Sequence, residues 1–257
     1  MAIHLELCKE QIENITGFLG YGNPVESVWF IGIEEGLGQA TSEDAIINLS
    51  KRGQFKEIMD LREAHHRRLW NTGRLIDFDA NPPFTPVWQW IAKIMCACSG
   101  NDWSEYLKSD LGRSDGETFL TELSPIPSRD TKESREWFKA FEDRCAELGA
   151  RLDKQLENRK NALLRLLQEK RPRLAICYGD GKERSCNFAR FFDLEWTLIG
   201  ERIKKGSKHS CPFLLLPFFG QGQMKQSVLE EICKRNLIPV PSTWSYGKEL
   251  GDFRCRS

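Results

Sequence analysis

Three carboxylates stand where this chain could do chemistry. Glu34 and Glu35 close the segment Gly32-Ile33-Glu34-Glu35-Gly36, directly after an apolar run, and Glu122 sits inside a second apolar run, Thr118–Leu123. Paired carboxylates can move protons, orient water and stabilise developing positive charge. A carboxylate within a buried strand must find a partner or stand at a site, because burying it unpaired is costly. A salt bridge to an arginine is the structural alternative for Glu122.

Further polar groups follow the other apolar runs. They occur in Ser124-Pro125-Ile126-Pro127-Ser128-Arg129, in Gly179-Asp180-Gly181-Lys182, and in Pro217-Phe218-Phe219-Gly220-Gln221-Gly222-Gln223. Each loop taken alone also reads as an ordinary turn, since glycine, proline and aspartate are what turns require.

Other motifs fail on context. Gly112-Arg113-Ser114-Asp115-Gly116 matches a nucleophile pattern, but a helical stretch precedes it and a strand follows, the reverse of what an elbow needs. Gly181-Lys182 lacks the remaining residues of a phosphate-binding loop. His65 and His66 are adjacent, so on a helix they diverge and cannot share a metal; they read as a solvated helix face. No metal and no cofactor is expected.

The elements that must position these residues alternate. Val28–Ile33, Thr118–Leu123, Leu174–Tyr178 and Pro212–Leu216 read as strands buried on both faces. Helical patterns cover Ala40–Lys51, Phe55–Trp70 and Val87–Cys98. Another opens at Asp130 and Glu133, at capping-box spacing, and runs through Leu148. A longer one carries the stripe Leu152, Leu156, Leu163, Leu166 and Leu167 and ends at Pro172. Arg184–Phe192 and Lys225–Arg235 complete the set. Trp196–Ile203 reads as an edge strand joined to the fourth strand by a basic turn, Lys204–Ser210. The alternation predicts an α/β fold: a three-layer α/β/α sandwich around a central, mostly parallel four-stranded sheet. One domain is expected over 1–257, with an N-terminal helical extension over 1–25 and an irregular tail over 236–257 that holds Trp244 and Tyr246.

Composition narrows the classes. The chain has 257 residues, 37 basic and 37 acidic side chains, and 40% hydrophobic residues, enough to fill a core. Zero net charge excludes coating of nucleic acid by bulk positive charge, so a polyanion must be held by a local patch. The first residues lack the apolar core of a signal peptide, and the run Cys211–Phe219 is too short for a bilayer. The nine cysteines show no regular spacing and read as reduced thiols. A cytoplasmic monomer with no membrane contact is expected.

The loops as a set resemble the uracil-DNA glycosylase superfamily. Gly32-Ile33-Glu34-Glu35-Gly36 matches its first motif, with Glu35 where a proline is usual. Phe119-Leu120-Thr121-Glu122-Leu123 fits its second-strand motif, with Glu122 in place of a base-reading asparagine. Phe218-Phe219-Gly220 stands where a motif with a histidine is usual. The resemblance implies a DNA glycosylase that flips a nucleotide into a pocket and hydrolyses the bond between base and sugar. It implies Glu34, or secondly Glu35, as the carboxylate beside the sugar; Glu35 could instead cap the following helix. With Phe218 in the histidine's place, the Gly220–Gly222 amides, Gln221 or Lys225 must stabilise the departing base. Phe218, Phe219 and Leu37 are candidates to stack on the base or fill the vacated stack, although an aromatic beside a strand is more often core.

An ionised Glu122 only accepts hydrogen bonds, so it suits a base that donates, such as cytosine through its amino group. The expected substrate is therefore a modified cytosine, with defence against phages as the setting. A protonated Glu122 could read uracil O4, which leaves repair of uracil or a deaminated purine as an alternative. A catalytically silent DNA-binding module is another. Contacts to DNA are expected from Ser124, Ser128, Arg129, Lys204, Lys205, Lys208, His209, Gln223 and Lys225. The alternative for the Lys204–Ser210 group is a solvated turn.

Overall fold

A computed structural model of the chain describes residues 5–36, 49–66, 85–97, 100–128 and 132–238. Its centre is one mixed sheet. The strands are β1 (Gly20–Gly22), β2 (Val28–Gly36), β3 (Ile58–Met59), β4 (Thr118–Ser128), β5 (Leu174–Tyr178), β6 (Thr197–Leu198), β7 (Lys204–Lys208) and β8 (Cys211–Leu216). Their order across the sheet is β3-β1-β4-β2-β5-β8-β7-β6.

The four expected strands are the middle of this sheet. β4, β2, β5 and β8 are neighbours and run parallel. Among the described residues the sheet has eight strands rather than four, because β1 pairs antiparallel to β4 on one side and β7 pairs antiparallel to β8 on the other. The segment expected as a basic turn is β7 itself. Only His209 and Ser210 make the turn, with φ of 50° and 65°, the left-handed pair that a two-residue hairpin uses. Thr197–Leu198 forms the edge expected within Trp196–Ile203.

The period-two pattern of the strands sends alternate side chains to two cores. Val28, Phe30, Ile176 and Leu214 face one layer, with α3 (Pro86–Cys96) and α8 (Gln226–Lys234) packed on it. Trp29, Ile31, Cys177 and Leu215 face the other, against α6 (Leu152–Lys170) and α7 (Lys182–Phe192). Helices therefore cover both faces, as a parallel sheet requires. A third cluster, built from Ile12, Ile15, Ile126, Phe141 and Leu152, joins α1 (Lys9–Gly17) and α5 (Lys132–Glu147) to the start of α6 and the end of β4.

Local signals account for the helix ends. The Thr85 hydroxyl accepts from Trp88 N at 3.2 Å, with Pro86 as the first residue of α3. Asp102 opens α4 (Trp103–Ser109) by accepting from the amides of Ser104 and Glu105. Arg171 takes a left-handed conformation after α6, and Pro172 prevents its continuation. The helix expected over Phe55–Trp70 is shorter at its start: α2 runs Leu61–His66, preceded by β3. Asp60 is the reason, since its carboxylate accepts from the amides of Arg62 and Glu63 and fixes the first turn there. Ala40 and Asp130 lie outside the described residues, as do Trp244 and Tyr246. No helix among the described residues is long and apolar enough to cross a membrane.

Candidate active site

The carboxyl ends of β2, β4 and β5 meet at a cavity of about 430 Å³. Parallel strands deliver their loops to this edge, which is where open α/β sheets hold ligands. Its floor is polar. Glu122 of β4 lies beside Gly32 of β2 in the sheet register. The Tyr178 hydroxyl, at the end of β5, donates to Glu122 Oε1 at 2.9 Å. The other carboxylate oxygen, Oε2, is buried and has no hydrogen-bond partner among the described residues.

Gly32 makes this arrangement possible. A Cβ at that position would overlap Glu122 Oε2 and come within 2.5 Å of the Tyr178 hydroxyl. Glycine is needed here for close approach, not for a special backbone angle.

Burial dominates the electrostatics of the floor. It raises the Glu122 carboxyl from 4.5 to about 7, against the lowering pull of the Tyr178 hydrogen bond and of Arg159 and Arg52; Glu34 adds a further upward push. The Tyr178 hydroxyl is pushed well above 10, by burial first and by Glu122 second. Among the described residues Glu122 makes no ion pair within 4 Å; Arg159 reaches its backbone carbonyl instead.

Two buried guanidinium groups flank this carboxylate. Arg159, 3% exposed, donates from Nη2 to the Glu122 backbone carbonyl at 2.7 Å. Burial and the positive charge of Arg52 lower Arg159 to about 9, which still leaves it charged at neutral pH. Arg52, also 3% exposed, donates to the Pro125 carbonyl at 2.7 Å and to the Tyr21 hydroxyl at 3.2 Å. Its guanidinium lies 5.3 Å from the Phe18 ring centre.

The walls are aromatic. Phe18, Tyr21, Trp88 and Phe218 line the cavity together with His65. His65 is fully buried, which corrects the expectation of a solvated helix face. Its Nδ1 is 2.9 Å from the Leu61 carbonyl, and its ring stands edge-on to Trp88 at 4.8 Å. Phe218 is half-buried, near-parallel to Tyr178 at 6.4 Å, and covered by the Arg184 guanidinium at 4.5 Å. Phe219 is core, stacked on Tyr178 at 4.6 Å.

Several expected residues gather here. Glu34 is exposed and lines the cavity, in register with Ser124, which also lines it. The Ser124 hydroxyl donates to the Ile126 carbonyl at 3.1 Å. Glu35 and Ser128 lie in β2 and β4 by backbone; their side chains, with Leu37 and Arg129, lie outside the described residues.

Others are placed elsewhere. Gln221 is exposed, with φ of 55°, and does not line the cavity. Gln223 and Lys225 belong to the same sheet edge; Arg202 ties that loop down by donating to the Gln223 carbonyl at 2.9 Å and holding Asp180 through two nitrogens. Lys208 and His209 lie at the far end of the β7–β8 hairpin, away from the cavity. Lys208 pairs with Cys211, five residues before the end of β8 at Leu216, about 16 Å from the site end of the sheet. Its ammonium is held by Asp193 at 2.9 Å. Lys204 and Lys205, opposite Leu215 and Leu214, are closer to the site end.

The residues not anticipated are Arg52, Arg159, Tyr178 and His65. Arg159 had a signal: it occupies the apolar stripe of α6 between Leu156 and Leu163, where a charge must have a purpose. The Gly112–Gly116 segment is a turn, with Ser114 N bound to Asp60 at 3.0 Å. Among the described residues no group of three or more His, Cys, Asp or Glu side chains could hold a metal ion. No known family model matches the chain, and comparison with curated proteins gives no match either.

Proposed function

We propose that the protein is a metal-independent DNA glycosylase whose cavity takes a flipped pyrimidine. One observation carries this reading: Glu122, one of whose carboxylate oxygens is buried without a partner among the described residues, lines an aromatic-walled cavity that a second carboxylate, Glu34, also lines. The cavity is large enough for a base and part of its sugar. Aromatic walls hold a planar ring, and a fixed carboxylate reads its edge. Glu34, reaching the same cavity from the exposed side, stabilises the positive charge that develops on the sugar and orients the attacking water. The reading also draws on the resemblance of Gly32–Gly36, in β2, and Phe119–Leu123, in β4, to the first two motifs of the uracil-DNA glycosylase superfamily, with Glu35 and Glu122 as the departures.

An ionised Glu122 favours an amino-bearing base, and a modified cytosine is the leading substrate, with phage defence as the setting. The upward shift of Glu122 to about 7 favours a second reading as well, since its protonated form donates to a carbonyl such as uracil O4. Phosphates are held on the site edge by Ser124, Lys182, Arg184 and Lys225.

The test is base release from oligonucleotides carrying uracil, hypoxanthine, cytosine, 5-methylcytosine, 5-hydroxymethylcytosine or its glucosylated form, read as alkali-labile sites. Release that disappears in Glu34→Gln while DNA binding survives supports the assignment. Full activity in both Glu34→Gln and Glu35→Gln refutes it. Binding without release from any substrate points to a silent DNA-binding module.

A further inference from the structure

Arg159 lines this cavity with hydrogen-bond donors left over. Its Nη2 is spent on the Glu122 carbonyl, but Nε and Nη1 are buried and have no partner among the described residues. The side chain is 97% buried by area and lines the cavity. Arg52 is different: its two terminal nitrogens hold the Pro125 carbonyl and the Tyr21 hydroxyl, so it braces the wall. Burying a guanidinium with unmet donors is costly, and a pocket that only had to hold a neutral ring would be better served by an apolar residue.

Resting on the reading above, we infer that Arg159 is a catalytic residue that donates to the departing pyrimidine as negative charge develops on it. When the bond from sugar carbon to base nitrogen breaks, both electrons leave with the base and spread onto its carbonyl oxygen. Water adds to the sugar carbon and gives its proton to Glu34, and the base anion is later protonated from solvent. A fixed cation beside that oxygen acts most strongly in the transition state, where the charge appears. Phe218, at the position from which a histidine would donate, has no proton to offer. The arginine arrives instead from α6, the helix whose Leu163, Leu166 and Leu167 pack on the opposite face of the sheet.

The experiment is single-turnover base release from four oligonucleotides that carry the 5-fluoro or 5-methyl form of uracil or cytosine. Fluorine makes the base a better leaving group, so it needs less help. Arg159→Gln is expected to slow release of the 5-methyl base about a hundredfold and of the matching 5-fluoro base only about tenfold, with DNA affinity unchanged within about threefold. Arg159→Lys, which keeps the charge, should fall between, and it carries the test if the glutamine variant does not fold. Equal slowing of both bases, as misfolding of the site would give, overturns the inference; so does no slowing. Release of none of the four by wild type also overturns it. The glycosylase reading falls with it only if the wider set of bases is silent too.

Discussion

The Tyr178 hydroxyl and the Glu122 carboxylate share one hydrogen bond of 2.9 Å directly over the backbone of Gly32. Three adjacent strands, β5, β4 and β2, each contribute one member of this group. The absence of a side chain on the middle strand is what lets the other two meet.

Gly32→Ala should therefore be among the most damaging single-methyl changes in the protein. Overpacking of this kind costs about 1–3 kcal/mol. Denaturant unfolding should show a loss near the upper end, partly recovered in the double variant with Glu122→Ala, which removes the clashing carboxylate. Gly17→Ala is the control: a Cβ there meets nothing within 4 Å, and stability should change by less than about 1 kcal/mol.

Glu122 should govern part of the pH dependence of folding. Its folded pKa of about 7 lies above the unfolded value of 4.5, so the native state binds the proton more tightly. The stability it contributes is fully present below about 4.5 and is lost as pH rises through about 7. The loss is on the order of 3 kcal/mol across that window. Comparing urea unfolding of wild type and Glu122→Gln from pH 4.5 to 8 isolates the effect, since the other groups are common to both. A difference that stays constant with pH would show that the carboxyl titrates normally.

Arg52 should be worth more to the wall than its position near the chain's surface loops suggests. Arg52→Leu removes the hydrogen bonds to the Pro125 carbonyl and the Tyr21 hydroxyl, at about 2–4 kcal/mol. Hydrogen exchange should quicken at Ile126, whose amide is held by the Ser124 hydroxyl. Unchanged exchange with lowered stability would mean that the arginine acts through packing alone.

The two ends of the sheet should differ in their effect on DNA. Lys208→Ala and His209→Ala, far from the cavity, should leave affinity within about twofold, while Arg184→Ala should lower it about tenfold or more and flatten the salt dependence. The opposite ranking in a fluorescence anisotropy titration would move the interface to the hairpin.

How much of this was legible in the sequence depended on what each residue advertised. The four parallel strands showed as continuous apolar runs because both faces are covered. β7 hid because Lys204, Lys205 and Lys208 suit a strand with side chains near solvent as readily as a turn. β1 and β3 are too short to carry a pattern. Glu122 was visible as a charge among apolar neighbours. Tyr178 was not, because a tyrosine ending an apolar strand looks like core. Arg159 stood on an apolar stripe, but only the fold reveals that the stripe meets the end of β4.

The two outermost strands, β3 and β6, are each two residues long. A sheet grows into fibrils when a second chain adds its backbone to a long, flat margin, and among the described residues the outermost strand at each margin is short. Leu198 on β6 is 62% exposed, yet the strip around it is too short to template another copy. The broad parallel centre can thus stay rich in Val, Ile and Leu, as its buried position requires, without becoming a seed for aggregation.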